Sequence, residues 1–431
     1  MQKKVNLLTM GCSKNRVDTE ILMRQLQANG FDTYYEADPT KIKFDFVVIN
    51  TCGFINDAKE ESINIILEYA ELKKKHRVGK IVVFGCLSQR YRADLQTEMP
   101  EVDAWFGKFE LKLMLEYFNS EYFCDLQPRR VVSTPSHYAY VKIAEGCNRT
   151  CSFCAIPYIT GKYQSRPIEE IIEECQQLVA SGVKEIILIA QDLSYYGVDL
   201  YKKQCLANLM EQIAKIDGLH WLRIHYTYPA HFPEDVLDVM AQHSNICNYL
   251  DIALQHISNH MLTQMRRNIS KEQTYALVQK FRERVPGLVL RTTLLVGHPD
   301  ETDEDFAELV EFVEHVKFDR LGVFTYSDEE NTFAYNNYAD NVPEDVKQSR
   351  MERIMQIQQQ ISLEINQKKI GQTIKVLIDR QEGEYFVGRS EGDSPEVDGE
   401  VLVSGANLPI GDFVSVRVTD ADEFDLYAEL V

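Results

Sequence analysis

The chain has 431 residues, of which 45% are hydrophobic and 26% charged, with a formal net charge of −20. A soft prior of roughly 150 residues per domain suggests about three domains, and the composition is that of a globular protein with apolar material for a core in each. So acidic a chain should not hold nucleic acid by its general field, since phosphate binding relies on Lys and Arg, and no run approaches the ~20 consecutive apolar residues of a membrane span.

The N-terminus, Met1-Gln2-Lys3-Lys4, leads straight into a strand-like segment and lacks the apolar stretch and cleavage site of a signal peptide, so a cytoplasmic location is expected. There are ten cysteines. In a reducing compartment, cysteines grouped at regular spacing point to metal or redox chemistry rather than disulfides.

Residues 1–130 alternate short apolar strands with helical spacing. Val5–Met10, Phe44–Asn50 and Lys80–Phe84 read as buried parallel strands, and Asp18–Asn29, Asp57–Lys75 and Glu110–Phe118 as the helices that cover them. Pro128–Pro135 reads as a linker. Residues 136–340 repeat a βα unit. Its six strands are Tyr138–Ile143, Glu185–Ile189, Trp221–Tyr226, Tyr249–Leu254, Val289–Val296 and Arg320–Thr325, and they predict a partial (βα)6 barrel with its active site at the strands' C-terminal ends. Residues 341–370 form a polar, Gln-rich helical connector, and residues 371–431 read as a small β-barrel. The fold class is therefore α/β: an N-terminal parallel sheet domain, a central partial barrel and a C-terminal β-barrel.

The strongest chemical signal is Cys147-Asn148-Arg149-Thr150-Cys151-Ser152-Phe153-Cys154, directly after the first barrel strand. Three thiolates on one short loop hold three irons of a 4Fe-4S cube. No fourth cysteine follows closely, so the fourth iron stays open. An open iron at the mouth of a barrel is what reductive cleavage of S-adenosylmethionine (SAM) requires. Zinc is the alternative, but it takes four ligands and the partner pair is missing. Phe153 either packs the loop or lies against the adenine.

A second signal comes from topology. Cys12, Cys52 and Cys86 each follow a strand of the first domain, 40 and 34 residues apart, about one βα repeat. Parallel strands present their C-terminal ends along one edge, where ligands bind. Three cysteines on that edge, each beside a glycine, are placed to hold a second cluster. The alternative is three buried cysteines acting as small apolar residues. Cys124, Cys175, Cys205 and Cys247 show no such pattern and read as packing.

With two three-cysteine sets in this order, the chain resembles the methylthiotransferases of the radical SAM superfamily over essentially its whole length. The resemblance implies an auxiliary cluster on Cys12, Cys52 and Cys86, a radical-generating cluster on Cys147, Cys151 and Cys154, and a C-terminal barrel of the TRAM type. Four stretches resemble the branch that modifies a ribosomal protein: Gly11-Cys12-Ser13-Lys14-Asn15-Arg16-Val17-Asp18, Thr51-Cys52-Gly53-Phe54-Ile55, Tyr326-Ser327-Asp328-Glu329-Glu330 and Ser394-Pro395-Glu396-Val397-Asp398-Gly399. Three positions depart from the family pattern. Gly297-His298-Pro299-Asp300-Glu301 stands for the usual Gly-Phe-Pro-Gly-Glu, Thr160 for an arginine and Asn331 for a glycine.

Charge agrees with that branch. Residues 371–431 carry fourteen acidic and four basic side chains. A barrel that grips tRNA should be basic, and an acidic one attracts a basic protein; a generic solvated acidic surface is the alternative. The resemblance implies methylthiolation of an aspartate β-carbon in small-subunit ribosomal protein twelve, with two SAM molecules, one the methyl donor and one the radical source. The electron donor expected is a flavodoxin or ferredoxin. The two cluster domains are expected to face one another across the target carbon. Gln191, Asp192 and Gln255, at strand ends, and Arg291, within its strand, are candidate cofactor contacts, each equally able to serve as a structural hydrogen-bonding residue. Tyr195-Tyr196 and Arg266-Arg267 read as surface or packing positions. The rival functions are a tRNA adenosine methylthiotransferase and, from another class, a non-catalytic iron–sulfur electron carrier or sensor.

Overall fold

The computed structural model describes residues 2–126, 129–405 and 407–431. Met1 and Pro128, the start of the predicted linker, lie outside them. The chain divides into two compact units. The first holds residues 1–134, 140–148 and 155–177, and the second holds residues 135–139, 149–154 and 178–431.

The first unit opens with β1 (Lys4–Thr9), α1 (Ser13–Ala28), β2 (Asp32–Tyr35), β3 (Phe44–Thr51), α2 (Asn56–Lys74), β4 (Val78–Gly85), α3 (Cys86–Glu98), β5 (Ala104–Trp105) and α4 (Leu111–Tyr117). The sheet order is β2-β1-β3-β4-β5, all parallel. Alternation along the strands sorts the core into two faces. Val47, Ile49, Ile81 and Val83 pack with Ile66 of α2 and Leu87 of α3. Phe46, Val48, Val82 and Phe84 pack with Leu22 of α1 and Met114 of α4. The order reverses between β1 and β3, the switch point at which open α/β sheets bind ligands. The unit resumes within β6 (Tyr138–Lys142) and adds the pair β7 (Ala144–Glu145) and β8 (Gln164–Ser165), the short α5 (Ile156–Thr160) and most of α6 (Ile168–Ala180).

The second unit continues with β9 (Glu185–Ile189), α7 (Val198–Tyr201), α8 (Leu206–Ala214), β10 (Trp221–Thr227), α9 (Asp235–Gln242), β11 (Ile246–Gln255), α10 (Asn259–Gln264), α11 (Lys271–Arg284), β12 (Val289–Val296), α12 (Asp303–Val316), β13 (Arg320–Thr325) and α13 (Phe333–Asn337). The sheet runs β13-β12-β11-β10-β9-β6, and β9 to β13 pair in parallel. The predicted strands and helices recur here within a few residues, and α6 at its predicted bounds. The connector is α14 (Glu344–Gln367). β14 (Thr373–Glu382), β15 (Tyr385–Arg389), β16 (Val401–Ser404), β17 (Phe413–Ala421) and β18 (Leu426–Leu430) close a barrel in the order β14-β15-β16-β18-β17. Val376, Ile378, Val401 and Val416 are among its own core.

The barrel is fixed to the N-terminal ends of the central strands. Trp221, Cys247 and Tyr249 pack with Leu377 and Phe413. Ser394 and Asp398 hydrogen-bond His225 (2.8 Å) and the Tyr249 hydroxyl (2.7 Å). This leaves the opposite, C-terminal ends of the strands to the cysteine loop.

Candidate cluster sites

The edge beyond β1, β3 and β4 gathers the first three cysteines. Cys12 is the N-cap of α1, Cys52 follows β3 and Cys86 is the first residue of α3. Two of the three thiols therefore start helices, where the dipole favours a thiolate. Their loops interleave. A Cβ on Gly11 would stand 2.6 Å from the Cβ of Cys52, and a Cβ on Gly53 2.6 Å from the Cα of Leu87 and 2.7 Å from its nitrogen. Only glycine lets the three loops close this far. Burial pushes the Cys86 thiol up to about 12, with Lys108 opposing, and raises that of Cys52, reinforced by Cys12. Such thiols ionise when a metal binds them.

Polar groups around this edge suit a sulfur-rich cluster. The hydroxyls of Ser13 and Ser88 are buried and have no hydrogen-bond partner among the described residues, as donors awaiting sulfur would be. Asn15 faces Cys86 across 3.7 Å and bonds the carbonyls of Met10 (3.0 Å) and Thr51 (3.3 Å). Lys108, 3% exposed in its side chain, lies 2.8 Å from Asp18, 3.7 Å from Glu145 and 3.4 Å from Asn15. Lys142 joins the same two carboxylates. Cys86 also packs on Ala155 and Ile159, which follow the second cysteine set. No three Cys, His, Asp or Glu side chains among the described residues close on a single-ion volume. A cubane, with an iron behind each thiolate, spreads its ligands more widely than one ion does.

The Cys147–Cys154 loop is held piecewise. In the first unit, the Cys147 amide donates to Gly161 (3.2 Å) and Asn148 accepts from the Tyr163 amide (3.1 Å). In the second unit, Ser152 is gripped three ways. Its amide donates to Met265 (3.1 Å), its carbonyl accepts from Ala334 (2.7 Å) and its hydroxyl lies 3.0 Å from Nε2 of His298. Cys151 Sγ accepts from Arg267 Nη1 at 3.1 Å and lies 3.7 Å from the Tyr228 hydroxyl. Arg149 and Arg267 lie 4.1 and 4.2 Å from the Tyr228 ring centre. Arg267 is thus buried, the packing half of its expectation, and in addition bonds a cysteine of the loop. Its partner is 116 positions away, so no local pattern announces it. Tyr228 and His298 likewise carry no local signal of a site, although the departure from the family pattern at His298 marks its loop.

The other expected residues divide. Gln191 and Gln255 lie at the C-terminal ends of β9 and β11, on the cysteine-loop side, Gln255 with φ 73. Asp192 accepts from Arg149 Nε (2.6 Å) and caps the Ser194 amide (2.9 Å), so it holds the loop's arginine. Phe153 packs against Met265, Leu295 and Tyr326, the loop-packing alternative. Arg291 lies elsewhere. It sits five residues, roughly 16 Å, before the end of β12, ion-paired to Asp251 (3.0 Å) and Asp398 (3.3 Å), so its guanidinium joins sheet to barrel at the end away from the cysteine loop. Cys124 is a correction. It is exposed in a short 3-10 turn rather than packed, whereas Cys175, Cys205 and Cys247 are buried. Tyr196 is fully buried packing, and Tyr195 lies 5.7 Å from Arg149. Asn331 and Asp300 carry φ of 67° and 65°, which accounts for glycine in the family pattern at both. Asp300 is held there by Asn341 at 2.6 and 2.9 Å.

Comparison with known proteins gives three family models. The Radical SAM superfamily matches residues 141–313, Uncharacterized protein family UPF0004 residues 4–107 and the TRAM domain residues 370–431. A protein of Bacteroides fragilis named ribosomal protein uS12 methylthiotransferase RimO is 55% identical over all of both chains. Its namesakes in Parabacteroides distasonis and Porphyromonas gingivalis are 54% and 52% identical, each covering 100% of this chain and 99% of the relative. Among solved structures, the radical SAM methyltransferase TsrM of Kitasatospora setae matches with a TM-score of 0.55 at 16% identity, over 75% of each chain. The cobalamin-dependent radical SAM enzyme OxsB matches with a TM-score of 0.54 at 11% identity, over 82% of this chain and 56% of that one. Both likenesses concern the fold.

Proposed function

Since this chain belongs to the ribosomal protein uS12 methylthiotransferase RimO family of radical SAM enzymes, we propose that it transfers a methylthio group to the β-carbon of an aspartate in ribosomal protein uS12. The observation that carries the proposal is identity of 52–55% along the whole length. The two cysteine triplets, each at the C-terminal ends of parallel strands, agree with it. The radical SAM family implies a 4Fe-4S cluster and SAM; we assign that cluster to Cys147, Cys151 and Cys154, and an auxiliary 4Fe-4S cluster to Cys12, Cys52 and Cys86. When bound, these groups supply one-electron hydrogen abstraction and a sulfur to donate, which no side chain can supply.

The chain's own residues position and insulate. The Ser152 clamp fixes the loop that carries Cys151 and Cys154. Tyr228 and Leu295, both under 9% exposed, help exclude water beside it. Gln191 and Gln255, at the strand ends, are the assigned SAM contacts among the polar residues. Gly11 and Gly53 give the auxiliary group its close backbone, and the Ser13 and Ser88 hydroxyls are its available donors. Chemistry at one carbon requires both clusters to reach it, since radical transfer tolerates little misplacement.

The acidic barrel favours a basic protein over tRNA. Of its four basic residues, Arg389 is buried in ion pairs and Arg380 is tied to Glu382 and Glu400. We assign the electron to a flavodoxin or ferredoxin and the reaction to the cytoplasm. No described helix is long and apolar enough to cross a membrane.

The test incubates reduced, cluster-loaded enzyme and SAM with purified uS12 and, separately, with hypomodified tRNA. The expected result is a gain of about 46 Da on one aspartate of uS12. A product on tRNA alone would overturn the substrate. Absence of 5′-deoxyadenosine would overturn the enzyme class in favour of an electron carrier or sensor.

A further inference from the structure

Arg267 occupies an unusual electrostatic position. It lies in the loop after α10, and both neighbours, Arg266 and Asn268, have left-handed backbone (φ 57° and 55°). Non-glycine residues adopt that conformation at a cost, and here it turns the intervening side chain inward. Arg267 is 3% exposed. Its Nη1 donates to Cys151 Sγ at 3.1 Å, its Nη2 to the carbonyl of Ala253, and its Nε is buried with no hydrogen-bond partner among the described residues. The ring of Tyr228 lies 4.2 Å from the guanidinium.

Arg149, beside the same ring, has a carboxylate partner in Asp192 at 2.6 Å. Among the described residues, no carboxylate forms an ion pair with Arg267. A buried guanidinium without an anion is strongly unfavourable, far more so than a surface one. The group it addresses is the sulfur of Cys151, with that of Cys154 also within electrostatic range.

We propose that Arg267 is the counter-charge of the cluster on Cys147, Cys151 and Cys154, binding the Cys151 sulfur by a charge-assisted N–H···S bond and thereby raising that cluster's reduction potential. The proposal rests on the assignment of those cysteines to a cluster. Reduction adds negative charge to the cluster, so a fixed cation and a donor at its sulfur favour the reduced form. Arg267 is thus a positioning and tuning residue for the electron that starts the reaction.

The test uses full-length, anaerobically loaded enzyme as wild type, Arg267→Lys and Arg267→Met. A mediated redox titration is followed by electron paramagnetic resonance, tracking the reduced-cluster signal that changes when SAM is added. A charge-assisted bond of ordinary strength predicts that, at the wild-type midpoint, the reduced-to-oxidised ratio falls about ten-fold in Arg267→Met and by less in Arg267→Lys. An unchanged ratio in Arg267→Met, with the SAM-responsive signal intact, overturns the proposal. No SAM-responsive signal in the wild type overturns instead the cluster assignment beneath it. Should Arg267→Met not load, wild type exchanged into deuterated buffer decides. A strongly coupled exchangeable proton on the SAM-responsive signal, altered in Arg267→Lys, supports the bond, and its absence overturns it.

Discussion

The hydroxyl of Ser152 lies 3.0 Å from Nε2 of His298, 146 positions along the chain. Nδ1 of the same ring lies 3.1 Å from the carbonyl of Pro299, which can only accept. The proton therefore sits on Nδ1, and Nε2 accepts from the serine. A protonated ring would lose that acceptor. Burial holds the His298 pKa down to about 4, with Pro299 and Glu301 opposing.

A stability prediction follows from that shift. The unfolded ring takes a proton near pH 6.5 and the folded one near 4, so the unfolded state binds more protons between those values. The contribution is whole above about pH 6.5 and is lost as pH falls toward 4, up to about 3 kcal/mol. Urea unfolding at pH 7.5, 5.5 and 4.5 should show wild type losing more stability on acidification than His298→Phe. Parallel losses would remove His298 as the cause.

Gly53→Ala tests the auxiliary site. The new Cβ would meet the backbone of residue 87 at 2.6–2.7 Å, and backbone cannot swing aside as a flexible side chain can. The loops of Cys52 and Cys86 must then part. Loaded wild type should carry about eight irons per chain and the variant about four, with the SAM-responsive signal retained. Full iron in the variant would contradict the placement of the auxiliary cluster on this edge.

What could be read along the chain was whatever repeats or recurs locally. The apolar runs of β3, β4 and β9 announce themselves, because strands buried on both faces are near-continuously hydrophobic. β2 (Asp-Thr-Tyr-Tyr) is a short half-buried edge strand with no such run. α3 opens on Cys86 itself and is kinked at Tyr91, which breaks its helical period. The cysteines were legible because their spacing is chemistry written in sequence. Arg267, Tyr228 and Lys108 were not, because the partners in question, Cys151 for the first two and Asp18 for Lys108, lie 77 or more positions away. Arg291 takes the structural one of its two readings, which sequence leaves open because nothing local shows that Asp398 of the barrel segment reaches it.

Lys108 should be indispensable to the first unit. The buried Lys108 and the part-buried Lys142 share the carboxylates of Asp18 and Glu145. Lys108→Met leaves those two carboxylates with one cation, and breaking a buried pair costs about 3 kcal/mol or more. Adding Asp18→Asn should recover part of that loss, since it removes the stranded charge. A double-mutant cycle by urea unfolding measures the coupling. Strict additivity would mean that the pair is not energetically linked.

Arg389 makes the strongest claim on the second unit's stability. Its Nη1 reaches Glu185 at 2.7 Å, and its Nε and Nη2 reach Asp379 at 2.6 and 3.0 Å. Glu185 opens β9 and also accepts from Arg223 at 2.8 Å, with both side chains fully buried. The guanidinium thus joins the central sheet to the barrel through charges that water cannot screen. Arg389→Met should cost about 3–5 kcal/mol, because Glu185 and Asp379 would be left under-paired in a dry site. Arg380, on the same barrel, bonds Glu382 and Glu400 with a side chain 47% exposed, and Arg380→Ala should cost about 1 kcal/mol or less. Parallel urea titrations at pH 7.5 compare the two. A large gap between them places the barrel's attachment in the buried network. Equal, small losses would mean that the attachment relies on its other contacts, the apolar ones of Trp221, Leu377 and Phe413 and the bonds of Ser394 and Asp398.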